Sequence, residues 1–245
     1  MNENGIVVSI VIPVKDEADN IIPLAAEITA VMEMQPRGWE CIWVDDGSKD
    51  RSLSILTGLA AEDPRHRFIS FEANAGQSAA FWAGMDEARG ELIATMDGDG
   101  QNDPADIPTL AGMVESGAAD MANGYRQRRK DSVVRKLSSL VANGFRTWIT
   151  GRTVRDTGCS IRVFRKECSK AFPRFSGMHR FIPTLAATYG FVLAEAPVNH
   201  RPRRSGEGKY TINNRLWVGL LDTFGILWLQ RRAFRYKIKV KSDYK

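Results

Sequence analysis

Apolar and polar positions along the first half of the chain switch repeatedly between two periods. Residues 7–13 form a short, branched apolar run stopped by Pro13, and residues 18–34 carry apolar side chains at helical spacing. The pair then repeats. Strand-like runs at 40–45, 68–71 and 92–96 are separated by helical patterns at 52–61 and 77–88, and 119–124 reads as one more strand. Strands alternating with helices imply a mostly parallel sheet with right-handed crossovers, an α/β fold. Farther on, 132–149 has Val133, Leu137, Leu140, Val141 and Phe145 at roughly helical spacing, which predicts an amphipathic helix. The most apolar stretch, 216–229, is only 14 residues long and carries Asp222 at its middle. A spanning helix needs roughly 20 apolar residues, so an interfacial helix, a core helix or an oligomer contact are the readings it allows.

Each predicted strand of the first half ends in polar residues. These ends carry Lys15, Asp16 and Glu17, then Asp45-Asp46-Gly47-Ser48, Asn74-Ala75-Gly76 and Asp97-Gly98-Asp99. In open parallel sheets ligands gather beyond the carboxyl ends of the strands, so the four loops predict one site. The last of them is the most informative. Two carboxylates separated by one glycine, delivered by a buried strand, are hard oxygen donors suited to Mg2+ or Mn2+ carrying a diphosphate. Turn chemistry favours the same residues, so Asp45, Asp46 and the Asp-Gly-Asp also read as turn or cap acceptors, and Glu17 as a first-turn acid. No G-x-G-x-x-G follows the first strand and no G-x-x-x-x-G-K-[ST] occurs, which removes the main support for a dehydrogenase or a P-loop enzyme.

With 245 residues and 43% apolar content, the chain has enough material for one large domain. Cys41, Cys159 and Cys168 form no C-x-x-C pair and no even-numbered framework, which suggests packing roles in a reducing compartment. No basic-apolar-small leader precedes the first strand pattern. The net charge of +5 hides a division: residues 1–125 hold 7 Lys/Arg and 22 Asp/Glu, a net −15, whereas 126–245 hold 27 and 7, a net +20. A basic second half attracts an anionic partner, be it nucleic acid, a phosphorylated substrate or an anionic membrane. The acidic first half argues against a general nucleic-acid binder.

Taken in order, the segments 12–17, Val44-Asp45-Asp46-Gly47-Ser48, Asn74-Ala75-Gly76 and 96–101 resemble those of the family 2 inverting glycosyltransferases with the GT-A fold. Three later segments, 155–162, 177–181 and 198–210, resemble those of the dolichol-phosphate mannose synthase and undecaprenyl-phosphate sugar transferase branch. The resemblance covers roughly residues 5–210, and within it Gly208 and Tyr125 stand where serine is usual. It implies that Pro13, Val14, Glu17, Asp45 and Gly76 lie around the base and ribose of a nucleotide sugar. Asp97, Gly98, Asp99 and Gln101 would lie at the diphosphate, with Asp97, Asp99 and Gln101 on the metal. Arg126, Arg135, Ser139, His179, Arg180, His200 and Arg203 would hold the acceptor phosphate, and Asp97, Asp99, Arg126 and Arg203 would carry the catalysis.

This implies a domain over 1–210, with a donor and metal half to 125 and an acceptor half from 126, and a membrane-proximal or partner-docking segment over 211–245. The expected reaction moves a sugar from a UDP- or GDP-linked donor to a polyprenyl phosphate with inversion, assisted by Mg2+ or Mn2+. An acceptor phosphate is already anionic near neutral pH and needs no strong base, whereas a saccharide acceptor, the alternative, would need one, with Asp103 the available candidate. A non-catalytic phosphate or nucleic-acid binder is the alternative of another class. The expected setting is cytoplasmic, peripheral at the membrane's cytoplasmic face, on the bilayer or a small membrane partner protein, with homo-oligomerisation possible and nucleic acid not a partner.

Overall fold

The computed structural model describes residues 5–126, 154–202 and 212–234, with 212–220 as backbone. The first half follows the predicted alternation closely. Strand β1 (Ile6–Val14) leads to helix α1 (Ala18–Glu33), β2 (Gly38–Asp45) to α2 (Ser52–Glu62), and β3 (His66–Ser70) to α3 (Gln77–Glu87). Then come β4 (Leu92–Thr95), α4 (Ile107–Glu115) and β5 (Met121–Arg126). Beyond residue 153 lie β6 (Arg162–Arg165), α5 (Lys166–Ala171), α6 (Ile182–Thr188), β7 (Leu193–Val198) and α7 (Ile212–Arg232). The sequence pattern did not signal α4, β6, α6 or β7. The apolar run at 216–229 is the middle of a longer helix than its hydropathy suggests.

The described strands form one seven-stranded sheet in the order β3-β2-β1-β4-β6-β5-β7. All neighbours are parallel except β6, which runs antiparallel to both β4 and β5. Both faces of the sheet are covered. On one, Val8, Ile10, Ile12 and Val14 of β1 pack with residues of α1, α2 and α4. On the other, Val11 packs with Ile42, Val44 and residues of α3, α5, α6 and α7. That two-sided burial explains why the strands read as near-continuous apolar runs. Helix α3 lies especially close to β1, since a side chain at Gly84 would collide with Val11.

The connection order places a switch point at β1. From β1 the chain moves one way to β2 and β3, then returns to the other side of β1 for β4. Loops leaving β1 and β4 therefore part in opposite directions, and the crevice between them is where α/β sheets hold ligands. Gly98 fits there because it has no side chain: a Cβ would stand 2.7 Å from Val14 Cγ1 and 3.0 Å from the Pro13 carbonyl oxygen.

Candidate active site

Four loops leave the carboxyl ends of β1, β2, β3 and β4, and their backbones are tied together by carboxylates. Asp16 sits at φ 48°, a strained conformation for a residue other than glycine, and is held there from both sides. Its N–H donates to Ser48 Oγ at 2.9 Å, and its carboxylate accepts from the Lys49 N–H at 2.6 Å. Glu17 is joined to the same neighbour through its N–H, which donates to Ser52 Oγ at 3.1 Å, while its side chain accepts from Asn20 Nδ2 at 2.6 Å. Asp45 is buried at the end of β2, where Oδ1 accepts from the Ser48 N–H at 3.0 Å and Oδ2 from Ser70 Oγ at 2.8 Å. Turn chemistry is thus present at Asp45. Asp46 holds the third loop, accepting from the N–H groups of Ala75 at 2.6 Å and Gly76 at 3.0 Å. Gly76 itself adopts φ 93° immediately before α3.

The fourth loop carries the Asp-Gly-Asp. Asp97 follows β4 and is partly buried. Its Oδ1 accepts from Gln77 Nε2 at 2.7 Å, and its N–H donates to Asn102 Oδ1 at 3.0 Å. Burial raises the Asp97 carboxyl to about 6, and the Asp99 charge adds to the rise, while a hydrogen bond from Ser160 and the charges of Arg162 and Arg126 oppose it. Asp99 Oδ1 accepts from the Gln101 N–H at 3.1 Å. Two carboxylates so placed, the charge of Asp99 adding to the proton affinity of Asp97, with their backbone against β1, suit a divalent cation that would neutralise both. Among the described residues no third His, Cys, Asp or Glu joins them, so further ligands would be neutral oxygens such as the Gln101 amide, diphosphate oxygens and water, the usual company of Mg2+.

Arg126 at the end of β5 makes a two-pronged ion pair with Asp156, Nε to Oδ2 at 2.6 Å and Nη2 to Oδ1 at 2.8 Å. Its charge is felt at Asp97. Arg162, buried at 3% exposure opposite Thr95 in the sheet, donates to the His179 carbonyl at 3.2 Å and to that of Cys159, while its Nε has no partner among the described residues. The His179 ring meets Ser78 Oγ through Nδ1 at 2.7 Å, and Ser78 Oγ accepts from the Gly177 N–H at 2.9 Å. Arg180 lies 3.7 Å from Asp222 of α7. His200 is exposed, but it pairs with Asn102 as an isolated antiparallel bridge, and the Arg201 N–H donates to the Gln101 carbonyl at 2.8 Å. The segment beyond β7 is therefore fastened to the loop that carries Asp97 and Asp99.

The structure brings together Pro13, Val14, Glu17, Asp45, Gly76, Gly98, Asp97, Asp99 and Gln101 around the switch point, with Arg126 and His200 at its border. Arg135, Ser139 and Arg203, with the helix predicted over 132–149, lie outside the described residues. Gln101 turns its amide nitrogen toward the Arg201 carbonyl at 3.4 Å. Several contributors were not singled out from the sequence. Gln77 and Asn102 are polar residues without motif spacing, whereas Asp156, Ser160 and Arg162 lie inside the 155–162 segment, whose resemblance assigns none of them a role. Arg201, paired with Glu27 at 2.6 Å and Asp103 at 2.7 Å, stands beside His200 in a run of basic residues that masks it.

A doubly covered, mostly parallel sheet of this strand order, with paired carboxylates at its switch point, is a fold of the GT-A type. Residues 9–172 match the model of the glycosyl transferase family 2, and the chain belongs to that family. It is 39% identical over 233 residues to the dodecaprenyl-phosphate galacturonate synthase of Rhizobium johnstonii, covering 93% of this chain and 68% of that protein. It is 37% identical over 214 residues to the undecaprenyl-phosphate 4-deoxy-4-formamido-L-arabinose transferase of Yersinia pestis, covering 86% of this chain and 65% of the relative. The chain thus spans about two thirds of the length of the curated relatives it matches. Among solved structures, glucosyl-3-phosphoglycerate synthase from Mycobacterium tuberculosis, in complex with Mn2+, UDP and phosphoglyceric acid, superimposes with a TM-score of 0.68 at 17% identity. That match covers 93% of this chain and 79% of the other.

Proposed function

We propose that this chain transfers a sugar from a nucleotide-diphosphate donor to a polyprenyl phosphate, inverting the anomeric centre. The observation that carries the reading is the pair Asp97 and Asp99 at the switch point, facing basic side chains from the second half. Both of the relatives named above act on polyprenyl phosphates, which supports the acceptor class. The donor nucleotide lies over Pro13, Val14, Glu17, Asp45 and Gly76, and its diphosphate over Gly98. Asp97 and Asp99, with the Gln101 amide oxygen, hold Mg2+ or Mn2+. A bound divalent cation supplies positive charge to the leaving diphosphate.

Arg126, Arg135, Ser139, His179, Arg180, His200 and Arg203 receive the acceptor phosphate, and its own negative charge takes the place of a general base. Asp103, the carboxylate that a saccharide acceptor would call on, is committed elsewhere. It caps the turn at Ala105 and pairs with Arg201 at 2.7 Å, which favours the phosphate acceptor over the saccharide. Because the acceptor is a lipid, the protein works at a membrane surface, on its cytoplasmic face. No helix among the described residues is long and apolar enough to cross a membrane.

The test is turnover with UDP- and GDP-sugars, each with Mg2+ and Mn2+, comparing a prenyl phosphate with an oligosaccharide acceptor. Product on the prenyl phosphate alone is expected. Product on the oligosaccharide alone, or undiminished metal-dependent turnover in Asp99→Ala, would overturn the reading.

A further inference from the structure

Helix α7 presents two faces. Toward the protein, Thr223 and Ile226 are buried and Leu229 packs against the core cluster. Toward solvent, Leu221, Phe224 and Trp228 are 72%, 54% and 61% exposed at spacings of three and four residues, so they form one stripe along the helix. The Arg232 guanidinium stands over the Trp228 ring at 5.4 Å, and residues 230–245 contain seven basic side chains and one acid. An apolar and aromatic stripe beside concentrated positive charge is suited to the headgroup layer of an anionic bilayer, with the helix lying flat.

Asp222 departs from that pattern, because it points from the same helix toward the acceptor side. Its carboxylate occupies the space above Gly177, where a Cβ would stand 2.7 Å from Oδ2, and the same oxygen is 3.7 Å from Arg180 Nη1. No hydrogen bond reaches that buried oxygen among the described residues. Gly177 bonds Ser78, Ser78 bonds the His179 ring, and Arg162 holds the His179 carbonyl, so a continuous set of contacts runs from α7 to the residues around Asp97. A charge pair joins the helix to this turn beside the apolar cluster that Met178, Phe181 and Ile226 share. A partly satisfied carboxylate is costly to keep in place, so a modest shift of α7 changes what Arg180 is free to bind.

We propose that α7 docks on an anionic phospholipid surface through Leu221, Phe224 and Trp228, and that Asp222 transmits this docking to the Gly177–Arg180 turn, setting it for acceptor capture. The second clause rests on the polyprenyl-phosphate reading; the first does not. Flotation of the chain with phosphatidylglycerol-containing vesicles, compared with phosphatidylcholine alone, tests the docking. Binding to the anionic vesicles, weakened by salt, is expected, and L221S/F224S/W228S should bind them at least tenfold more weakly while keeping the thermal shift given by nucleotide and metal. If the triple variant fails to fold, the single Phe224→Ser is read in the same way and should bind severalfold more weakly. Variants that float like the wild type overturn the docking, as does a wild-type dimer that the same substitutions dissociate without any flotation.

The link is tested with a short, water-soluble prenyl phosphate as acceptor. Adding acceptor-free phosphatidylglycerol vesicles should lower its KM severalfold in the wild type. In Asp222→Asn the KM should stay high although flotation and donor binding are unchanged. Equal responses in the two proteins overturn the link. Absence of transfer to any prenyl phosphate would overturn the functional reading instead, and leave the flotation result standing.

Discussion

At the scale of single residues, Asp97 and Asp99 should separate donor binding from stability. Replacing either with Asn removes one negative charge while keeping the shape and leaving only a neutral amide oxygen to offer a cation, so nucleotide affinity in the presence of Mn2+, read from the thermal shift with UDP or GDP, should fall more than about tenfold, with the fold intact. Gly98→Ala tests the backbone contact with β1. A methyl 2.7 Å from Val14 Cγ1 forces the loop outward, at a cost of about 1–3 kcal/mol in stability and with weaker nucleotide binding, read by denaturant unfolding and titration. His66 lies away from the site and reports on the core. Trp43 Nε1 donates to His66 Nδ1 at 3.1 Å, which leaves the ring proton on Nε2 to donate to Thr29 Oγ1 at 3.0 Å. Burial holds the imidazole below its ordinary pKa, so the folded state prefers it neutral. Stability from this residue is full above about pH 6.5 and declines as the pH falls, by up to about 1.4 kcal/mol per pH unit until the folded-state pKa is passed. Urea midpoints between pH 7.5 and 5.5 should show this decline, and His66→Gln should flatten it.

At the scale of elements, Asp46 holds a whole loop. Asp46→Ala frees the N–H groups of Ala75 and Gly76, and should weaken nucleotide binding about tenfold with a loss of roughly 1–3 kcal/mol, measured by calorimetry and unfolding. The elements that could be read in the sequence are those whose burial imposes a local pattern. Strands β1, β2 and β4 are buried on both faces, and their apolar runs announce them. Strand β6 is four residues, Arg-Val-Phe-Arg, and its buried Arg162 makes it look like a surface loop. Strand β7 contains Pro197 and two alanines and lies at the sheet edge, where neither a strong period nor a high strand propensity is required. The site divided in the same way: carboxylates at strand ends were visible, but Gln77, Asn102 and Asp156 act through distances that only the folded chain sets. In α7, hydropathy marked the apolar centre, while the helix continues into Arg231 and Arg232 because packing on α6 and the core holds it.

At the scale of the whole molecule, the division at residue 126 is one of charge and not of architecture, since β6 from the basic half lies between β4 and β5 of the acidic half. Arg126 and Arg162 of the basic half therefore act on Asp97 of the acidic half within one sheet. Long-range attraction of this kind is screened by salt: from 0.1 to 1 M the screening length falls from about 10 to about 3 Å. The KM for the anionic acceptor should rise severalfold over that range, whereas donor affinity, set by direct metal contacts, should change less. The position of β6 also has a consequence for biosynthesis. A nascent chain that has emerged only through β5 has β4 and β5 separated by a strand not yet made, leaving open edges on an otherwise apolar sheet. Parallel strands of high sequence separation pair slowly, so this intermediate persists while translation continues. Ribosome-bound chains stalled before residue 162 should thus be held by chaperones and cleaved readily, and protease resistance should arrive in a single step once β6, β7 and the helices that cover the sheet have been made.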